Sequence, residues 1–184
     1  MQRELVVRAR KGDHDAFTAL AAAAIPRLDS TAWLILREPE QAKDAVQNAL
    51  VRAWRDLPTL RDPDRFEPWL HRILTRECYA EARRRTRWSG DIRLLPVDGP
   101  VEAEGILSVN DRDQLERAFR RLTLEQRAVL VFHHYLDLPL AEVAARLGIP
   151  VGTVKSRLHH ATAALRASVE ADARTPTTAQ ERLA

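Results

Sequence analysis

Hydrophobic residues recur every three or four positions along nearly the whole chain, and no stretch alternates apolar and polar residues over the length of a strand. This spacing puts apolar side chains on one face of a helix, whereas a half-buried strand needs a period of two. Glycine, which weakens helices, is scarce, with 6 in 184 residues. We expect an all-α fold of two small helical domains joined by a flexible linker, the second containing a helix-turn-helix.

Interruptions of the helical period mark the expected domain boundaries. Glycine, proline and aspartate break the pattern over residues 88–109, which we interpret as the linker. The domains then cover residues 1–87 and 110–169. After them the periodicity is lost again, so we expect a disordered tail over residues 170–184.

The most specific pattern is a pair of short helices over residues 139–165. Gly148 follows the apolar face of the first helix, and glycine is favoured where a helix ends at positive φ. The second helix buries a stripe of Val154, Leu158, Ala161 and Leu165. Its polar side chains then lie on or near the solvent side: Thr153, Lys155, Ser156, Arg157, His159 and His160.

This pattern predicts DNA binding through the second helix of a helix-turn-helix. Such a helix fits the major groove, where lysine and arginine bind phosphates or guanine and hydroxyl groups bind several base edges. The alternative is an ordinary helical hairpin with a solvated basic face. We favour DNA binding because the apolar spacing and the glycine occur together.

The first domain contains an amphipathic helix over residues 39–56. Alanine, valine, leucine and tryptophan form its inner face. By itself, the opposite polar face is typical of solvated surface. The side chains expected to project there are Lys43, Asp44, Gln47, Asn48, Arg52 and Arg55.

A turn-rich loop over residues 57–65 leads into a helix with an arginine-rich end over residues 83–88. Arginines beside a tryptophan suit a phosphate backbone whose bases can stack. A helix C-terminus also favours cations through its dipole, so the arginines alone are weak evidence.

Composition restricts the remaining classes of function. The single cysteine, Cys78, excludes an internal disulfide, and the charged N-terminus lacks the apolar segment of an export signal. No segment is expected to be long enough to span a bilayer, so we expect a cytoplasmic protein without membrane insertion. The net charge is +3, yet residues 88–116 hold seven acidic and two basic groups, which leaves two basic domains suited to a polyanion.

An enzyme is disfavoured because no phosphate-binding loop, nucleophile elbow or metal-ligand spacing is found. The histidine pairs at residues 133–134 and 159–160 point apart on their helices, so we expect no metal site and no cofactor. A helix-turn-helix transcriptional regulator that binds duplex DNA alone is another class to consider. Such regulators usually carry a receiver or ligand domain, which the helical, basic N-terminal half does not resemble.

Three motifs follow one another along the chain, two in the first domain and one in the second. They are Asp44-Ala-Val-Gln47-Asn-Ala-Leu-Val-Arg-Ala-Trp54, then Phe66-Glu-Pro-Trp69-Leu-His-Arg-Ile73, then Thr153-Val-Lys-Ser-Arg-Leu158. Over about residues 2–168 the chain resembles the extracytoplasmic-function group (group IV) of bacterial RNA polymerase sigma factors. The resemblance implies a non-catalytic subunit that binds core RNA polymerase, directs it to promoter DNA, helps to melt the duplex and is controlled by an anti-sigma factor.

The resemblance also implies roles for individual residues. The first motif would bind core polymerase, the loop and arginine-rich helix would bind the −10 element as single strand, and the helix-turn-helix would read the −35 element as duplex. The polymerase-binding residues would be Asp44, Gln47, Asn48, Arg52 and Arg55. The −10 contacts would be Arg61, Asp62, Arg65, Arg76, Arg83, Arg84, Arg85, Arg87 and Trp88. The −35 contacts would be Thr153, Lys155, Ser156, Arg157 and His160, with His159 a weaker candidate.

Two positions depart from the family pattern. Arg76 stands where asparagine is common, and Ala80 stands where aspartate is common before the arginines. Glu77 and Glu81 are expected to replace part of the lost polar character. Because we expect Arg76 and Ala80 on the exposed or half-exposed side, these departures affect the −10 contacts rather than the fold.

Overall fold

The structure is a computed structural model that describes residues 1–88 and 109–174, with side chains described over 1–85 and 114–171. These ranges contain helices and turns and no strand, which confirms the all-α prediction. The helices are α1 (Gln2–Ala9), α2 (His14–Leu36), α3 (Pro39–Asp56), α4 (Phe66–Trp88), α5 (Val109–Arg120), α6 (Leu124–Leu130), α7 (Leu140–Leu147) and α8 (Val151–Arg174).

Helix α2 is the central apolar helix of the first module. Asp13 caps it by accepting a hydrogen bond from the Ala16 N–H at 2.9 Å. By length and composition α2 could cross a membrane, so the expectation that no segment is long enough is wrong. Its run of alanines makes it apolar as a whole, yet Leu28 and Ile35 are buried against neighbouring helices.

Helices α3 and α4 pack against each other and against α2. The bounds of α3 match the predicted range, and its inner face is buried through Ala45, Ala49 and Ala53. These small side chains let the helix backbones approach closely. The loop between the two helices consists of two short 3₁₀ turns, Leu57–Thr59 and Pro63–Arg65.

The second module begins with α5 and α6. Thr123 and Gln126 form the predicted capping box: the Gln126 N–H donates to Thr123 Oγ1, and the Thr123 N–H donates to Gln126 Oε1. After α6 the chain widens into one π turn, Val131–Tyr135, which places Phe132 in the core.

The helix-turn-helix is present as predicted in α7 and α8. Gly148 has φ 69° and donates its N–H to the Ala144 carbonyl at 2.8 Å, so it ends α7 in the left-handed conformation. Helix α8 continues to Arg174, so it includes the first residues of the predicted tail. The rest of the expected tail, and nearly all of the expected linker, lie outside the described residues.

The two modules are packed on each other, because one hydrophobic core includes residues from both. Leu28 and Leu74 of the first module belong to the same buried cluster as Phe132 and Val143 of the second. Polar contacts reinforce this packing. Arg72 Nη2 donates to the Ala145 carbonyl at 2.6 Å.

Arg37 makes a second polar contact between the modules. It follows α2 at φ 58°, and its guanidinium carbon lies 3.8 Å from the centre of the Trp33 ring and 5.5 Å from that of Phe119. Glu116 of α5 forms an ion pair with it. Burial and the positive charges of other arginines lower the pKa of Arg37 to about 9. The guanidinium therefore remains charged at neutral pH.

His71 lies buried between α4 and the second module. Arg146 Nη1 donates to His71 Nδ1 at 2.7 Å, and the Phe132 ring packs edge-on with its centre 5.7 Å away. Since a guanidinium can only donate, His71 accepts at Nδ1 and is neutral. Burial, with the nearby charges of Arg146 and Arg27, lowers the pKa of His71 to about 4.

Replacing Gly148 by alanine should destabilise the protein through backbone strain alone. A Cβ at Gly148 meets no atom within 4 Å, but φ there is +69°, so we expect a loss of about 1 kcal/mol in the free energy of unfolding. Gly152→Ala is the matched control, because its Cβ is equally unhindered and its φ is not positive. Urea unfolding measures both variants, and equal stabilities would contradict this explanation.

His71 should make the folded state sensitive to acid. The pKa of His71 is about 4 in the folded protein and about 6.5 in the unfolded chain. Between these two values, the unfolded chain binds more protons than the folded protein, so a fall in pH favours unfolding. Stability from this group is complete above about pH 6.5, and we expect a loss of about 2 kcal/mol at pH 5. Urea unfolding at pH 7.5 and pH 5 should show a larger loss for the unmodified chain than for His71→Gln. Equal losses would exclude His71 as the cause.

Candidate functional site

An exposed polar edge runs along α3. Asp44 and Gln47 lie three residues apart on it and both are exposed, as their spacing predicts. Val51 continues the same edge one turn later with 64% of its surface exposed. Arg55 is also exposed, and its Nε lies 2.9 Å from the Asp56 carboxylate. The edge therefore combines a free carboxylate, an amide and an unburied aliphatic group.

Two other polar residues of α3 contact α4, and one of them, Asn48, is placed differently from the expectation. Asn48 does not project into solvent: it is half-buried and its Nδ2 donates to Glu81 Oε1 of α4 at 3.1 Å. Arg52 is partly exposed but is paired with Glu77 of α4. The helical period alone could not reveal these pairs, because they depend on how α4 is rotated against α3.

The loop between α3 and α4 presents a second polar surface. Arg61, Asp62 and Arg65 are all exposed. The Asp62 carboxylate accepts a hydrogen bond from the Asp64 N–H at 3.0 Å and lies 3.6 Å from Arg65 Nε. The loop thus has an ordered turn with donors and acceptors facing solvent.

The arginines of α4 divide into two groups. With about 100° of rotation per residue, Arg72, Arg76 and Arg83 share one side of the helix, and Arg76 and Arg83 are exposed. Arg84 and Arg85 project from other sides of the helix, and their side chains are 61% and 36% exposed. Arg84 pairs with Glu81 of its own helix, and Arg85 Nη1 lies 3.0 Å from Glu38 Oε2. We call the first group the arginine stripe.

Two further residues predicted in this region have no described side chain. Arg87 and Trp88 belong to the last turn of α4, but their side chains lie outside the described ranges. Arg76 and Ala80 are exposed and half-exposed respectively, as expected.

The outer face of α8 carries several groups that can donate hydrogen bonds. Lys155, Ser156 and the two adjacent histidines, His159 and His160, are exposed. Thr153 is half-buried, and its carbonyl accepts from Ser156 Oγ at 3.1 Å. These residues start at the first turns of α8, where a recognition helix contacts base edges.

Arg157 occupies the border between this face and the first module. It is half-buried, and its positive charge acts on Tyr79 of α4. Burial dominates there and raises the pKa of Tyr79 to about 12, with the Glu125 carboxylate adding to the increase and Arg157 opposing it. The packing of the modules therefore covers part of one predicted DNA contact.

The described residues contain no group of three or more metal-ligating side chains. Cys78 is buried, and burial raises the pKa of its thiol to about 12, which makes it a poor nucleophile. His133 is used structurally, since its Nδ1 lies 2.9 Å from the Leu138 carbonyl.

Three buried or half-buried titratable residues were missed by the sequence analysis. Glu38, His71 and Arg146 all make contacts that link distant parts of the chain. The sequence did contain one signal of such a contact: Arg146 is a cation on the inner side of the short helix α7. Its partner could not be identified, because His71 lies 75 residues away.

The comparisons with known proteins agree with this organisation. The sigma-70 region 2 family matches residues 20–88, and the sigma-70 region 4 family matches residues 112–165. The ECF RNA polymerase sigma factor SigL of Mycobacterium tuberculosis is 35% identical over 71% of this chain and 75% of its own length. SigM of the same species is 34% identical over 88% of this chain and 81% of its own.

Solved structures extend the similarity to the fold. CnrH, solved in complex with the cytosolic domain of CnrY, has a TM-score of 0.68 and 27% identity and covers 93% of this chain and 98% of its own. RpoE of Bartonella quintana, solved with the anti-sigma factor NepR, has a TM-score of 0.70 and 25% identity and covers 85% and 98%. Together with the sequence relatives, these matches show that the chain belongs to the extracytoplasmic-function (ECF) RNA polymerase sigma factors.

Proposed function

We propose that the three surfaces of this sigma factor divide the work of transcription initiation. The edge of α3 binds core RNA polymerase, the loop and arginine stripe hold the −10 element, and α8 reads the −35 element. One observation carries this proposal: the exposed α3 edge and the arginine stripe lie on adjacent helices of one rigidly packed module, while α8 presents donors on the other module.

Exposure and chemistry support the role of α3. Asp44 and Gln47 are exposed and make no hydrogen bond within the described part of the chain, so their polar groups are available to a partner. Val51 adds apolar surface between them and Arg55, and protein interfaces favour such an apolar centre with a polar rim. Arg52 and Asn48 border this surface through their contacts with α4.

The −10 element would be held as an opened strand. An unpaired base needs polar groups to bind its edge, and Arg61, Asp62 and Arg65 provide them on the loop. The arginine stripe would then follow the phosphates of the same strand. Melting costs a few kcal/mol per flipped base, and these contacts offset it.

The −35 element would enter as intact duplex. Lys155 and Ser156 are exposed on α8 and Thr153 and Arg157 lie beside them, with His160 further along the same helix. Arginine bound to the O6 and N7 atoms of guanine is the most common specific contact in the major groove. We therefore assign the largest share of specificity to Arg157.

With the modules packed together, the chain cannot span the distance between the −10 and −35 elements. The −10 and −35 elements are about 25 base pairs apart, which is about 85 Å at 3.4 Å per base pair. A compact chain of this length has a radius of gyration of only about 16 Å. We propose that the modules separate when the sigma factor binds polymerase and promoter.

The remaining expectations complete this proposal. The chain acts as a non-catalytic subunit in the cytoplasm, where core polymerase and the chromosome are found. One structural neighbour, RpoE, was solved with the anti-sigma factor NepR, and another, CnrH, with the cytosolic domain of CnrY. We propose that a protein of this kind also controls the present chain by covering the surfaces used for polymerase and DNA.

The function is tested directly by assembly and transcription. The chain should co-elute with core RNA polymerase and direct it to a specific set of promoters selected from random DNA. A regulator without a subunit role would instead bind duplex DNA alone and leave the start sites chosen by core polymerase unchanged. That second result would reject the proposal.

Removing the α3 contacts should weaken binding to polymerase. We expect Asp44→Ala and Gln47→Ala each to raise the Kd for core polymerase by roughly tenfold, equivalent to about 1.4 kcal/mol, because each variant would lose its polar contact with polymerase. Asp15→Ala, which removes an exposed carboxylate from the first turn of α2, is the control. Fluorescence anisotropy measures the affinities, and a similar change in all three variants would argue against this surface.

Removing the guanidinium of α8 should affect the −35 element selectively. We expect Arg157→Ala to weaken binding of holoenzyme to promoter duplex by roughly tenfold or more and to relax the preference at one base pair. Arg166→Ala is the matched control, since Arg166 is exposed on the opposite side of the same helix. Competition binding with single-base substitutions provides the measurement. An unchanged base preference in Arg157→Ala would remove this residue from the reading surface.

A further inference from the structure

Glu81 connects two surfaces that the proposed function treats separately. Only 7% of its surface is exposed, and it lies where α4 packs on α3. Its Oε1 accepts from Asn48 Nδ2 of α3 at 3.1 Å and from the guanidinium of Arg84 on α4. One buried carboxylate oxygen thus joins the helix proposed to bind polymerase to the arginine-rich end proposed to bind DNA.

The chemistry of a carboxylate determines what each partner can do. An ionised carboxylate only accepts, so Asn48 must present its NH₂ group to Glu81 and keeps its carbonyl for other partners. Arg84 supplies the positive charge that compensates the buried negative charge. If Arg84 turned to a DNA phosphate, Glu81 would remain buried with a neutral amide as its partner, which is unfavourable.

The arginines near this contact differ in whether they have a carboxylate partner. Arg85 is similarly paired with Glu38, and Arg52 with Glu77. In contrast, Arg76 and Arg83 have no carboxylate partner among the described residues and face solvent on the arginine stripe. Within the described residues, no carboxylate therefore compensates the charges of Arg76 and Arg83, whereas Glu81 compensates that of Arg84.

We propose that Glu81 is a positioning residue that orients Asn48 beside the polymerase-binding edge and holds Arg84 back from the promoter strand. The backbone contacts of α4 then come from the arginine stripe. This inference rests on the proposed function and narrows it, because it separates arginines that are adjacent in sequence into DNA-binding and structural groups.

The number of phosphate contacts can be counted from the salt dependence of binding. For single-stranded DNA, each phosphate neutralised changes the slope of log K against log salt by about 0.7. We expect Arg83→Ala to reduce the magnitude of the slope by about 0.7, and Arg84→Ala to leave it unchanged. Between 50 and 200 mM salt, a difference of 0.7 corresponds to about 2.6-fold in affinity.

Glu81→Gln supplies the decisive variant, because glutamine has nearly the same shape and can still accept from Asn48. Arg84 then loses its ionic partner and is free to bind a phosphate. We expect the slope to steepen by about 0.7, and the double variant Glu81→Gln with Arg84→Ala to return it to the original value. A loss of packing alone would not change the slope in this way.

The experiment uses the full chain assembled with core RNA polymerase and a labelled single-stranded oligonucleotide of mixed sequence. The same salt series is run on the full chain alone, so slopes are obtained whether or not the holoenzyme forms. Thermal unfolding confirms that each variant is folded. Equal slope losses in Arg83→Ala and Arg84→Ala, or an unchanged slope in Glu81→Gln, would overturn the role of Glu81. Failure to bind core polymerase would instead contradict the proposed function.

Discussion

Each surface proposed to be functional depends on the burial of α4 between α3 and the second module. One side of α4 carries Glu77 and Glu81 and packs on α3, and another carries His71 and meets the helix-turn-helix. The arginine stripe lies on the part of α4 that remains exposed. A rotation of α4 by one residue, about 100°, would place arginines against α3 and carboxylates in solvent. The apolar core residues Leu70, Ile73 and Leu74 prevent that rotation, so hydrophobic packing determines which charges face solvent.

Local features of the fold could be predicted because local physical rules determine them. The bounds of α3 follow from Pro39 at its first turn and from the period of its alanines, and the end of α7 follows from the need for glycine at positive φ. The capping box at Thr123 is equally local. In each case, the residues that specify the structure lie within one or two helical turns of it.

The contacts between helices could not be predicted in the same way. Asn48 was expected in solvent because its own helix places it near the polar side, but a glutamate 33 residues later draws it into the interface. The contact of His71 with Arg146 spans 75 residues. Such pairs depend on how two helices are rotated and cross each other. The hydrophobic period of one helix does not predict this. The candidate surfaces were therefore predicted as sets of residues, while the division of those sets into exposed and paired members required the structure.

The chemistry of the contact between modules suits the separation that we propose. Two arginines, Arg37 and Arg146, are buried there against aromatic and polar groups of the other module. Burying charge is costly even when it is paired, and opening returns both guanidinium groups to water. That gain offsets part of the apolar area lost on separation, whereas an interface of leucine and phenylalanine alone would have no such compensation. The two buried arginines therefore lower the free-energy cost of separating the modules. The packed arrangement is still specific, because each guanidinium meets its partner in only one orientation of the modules.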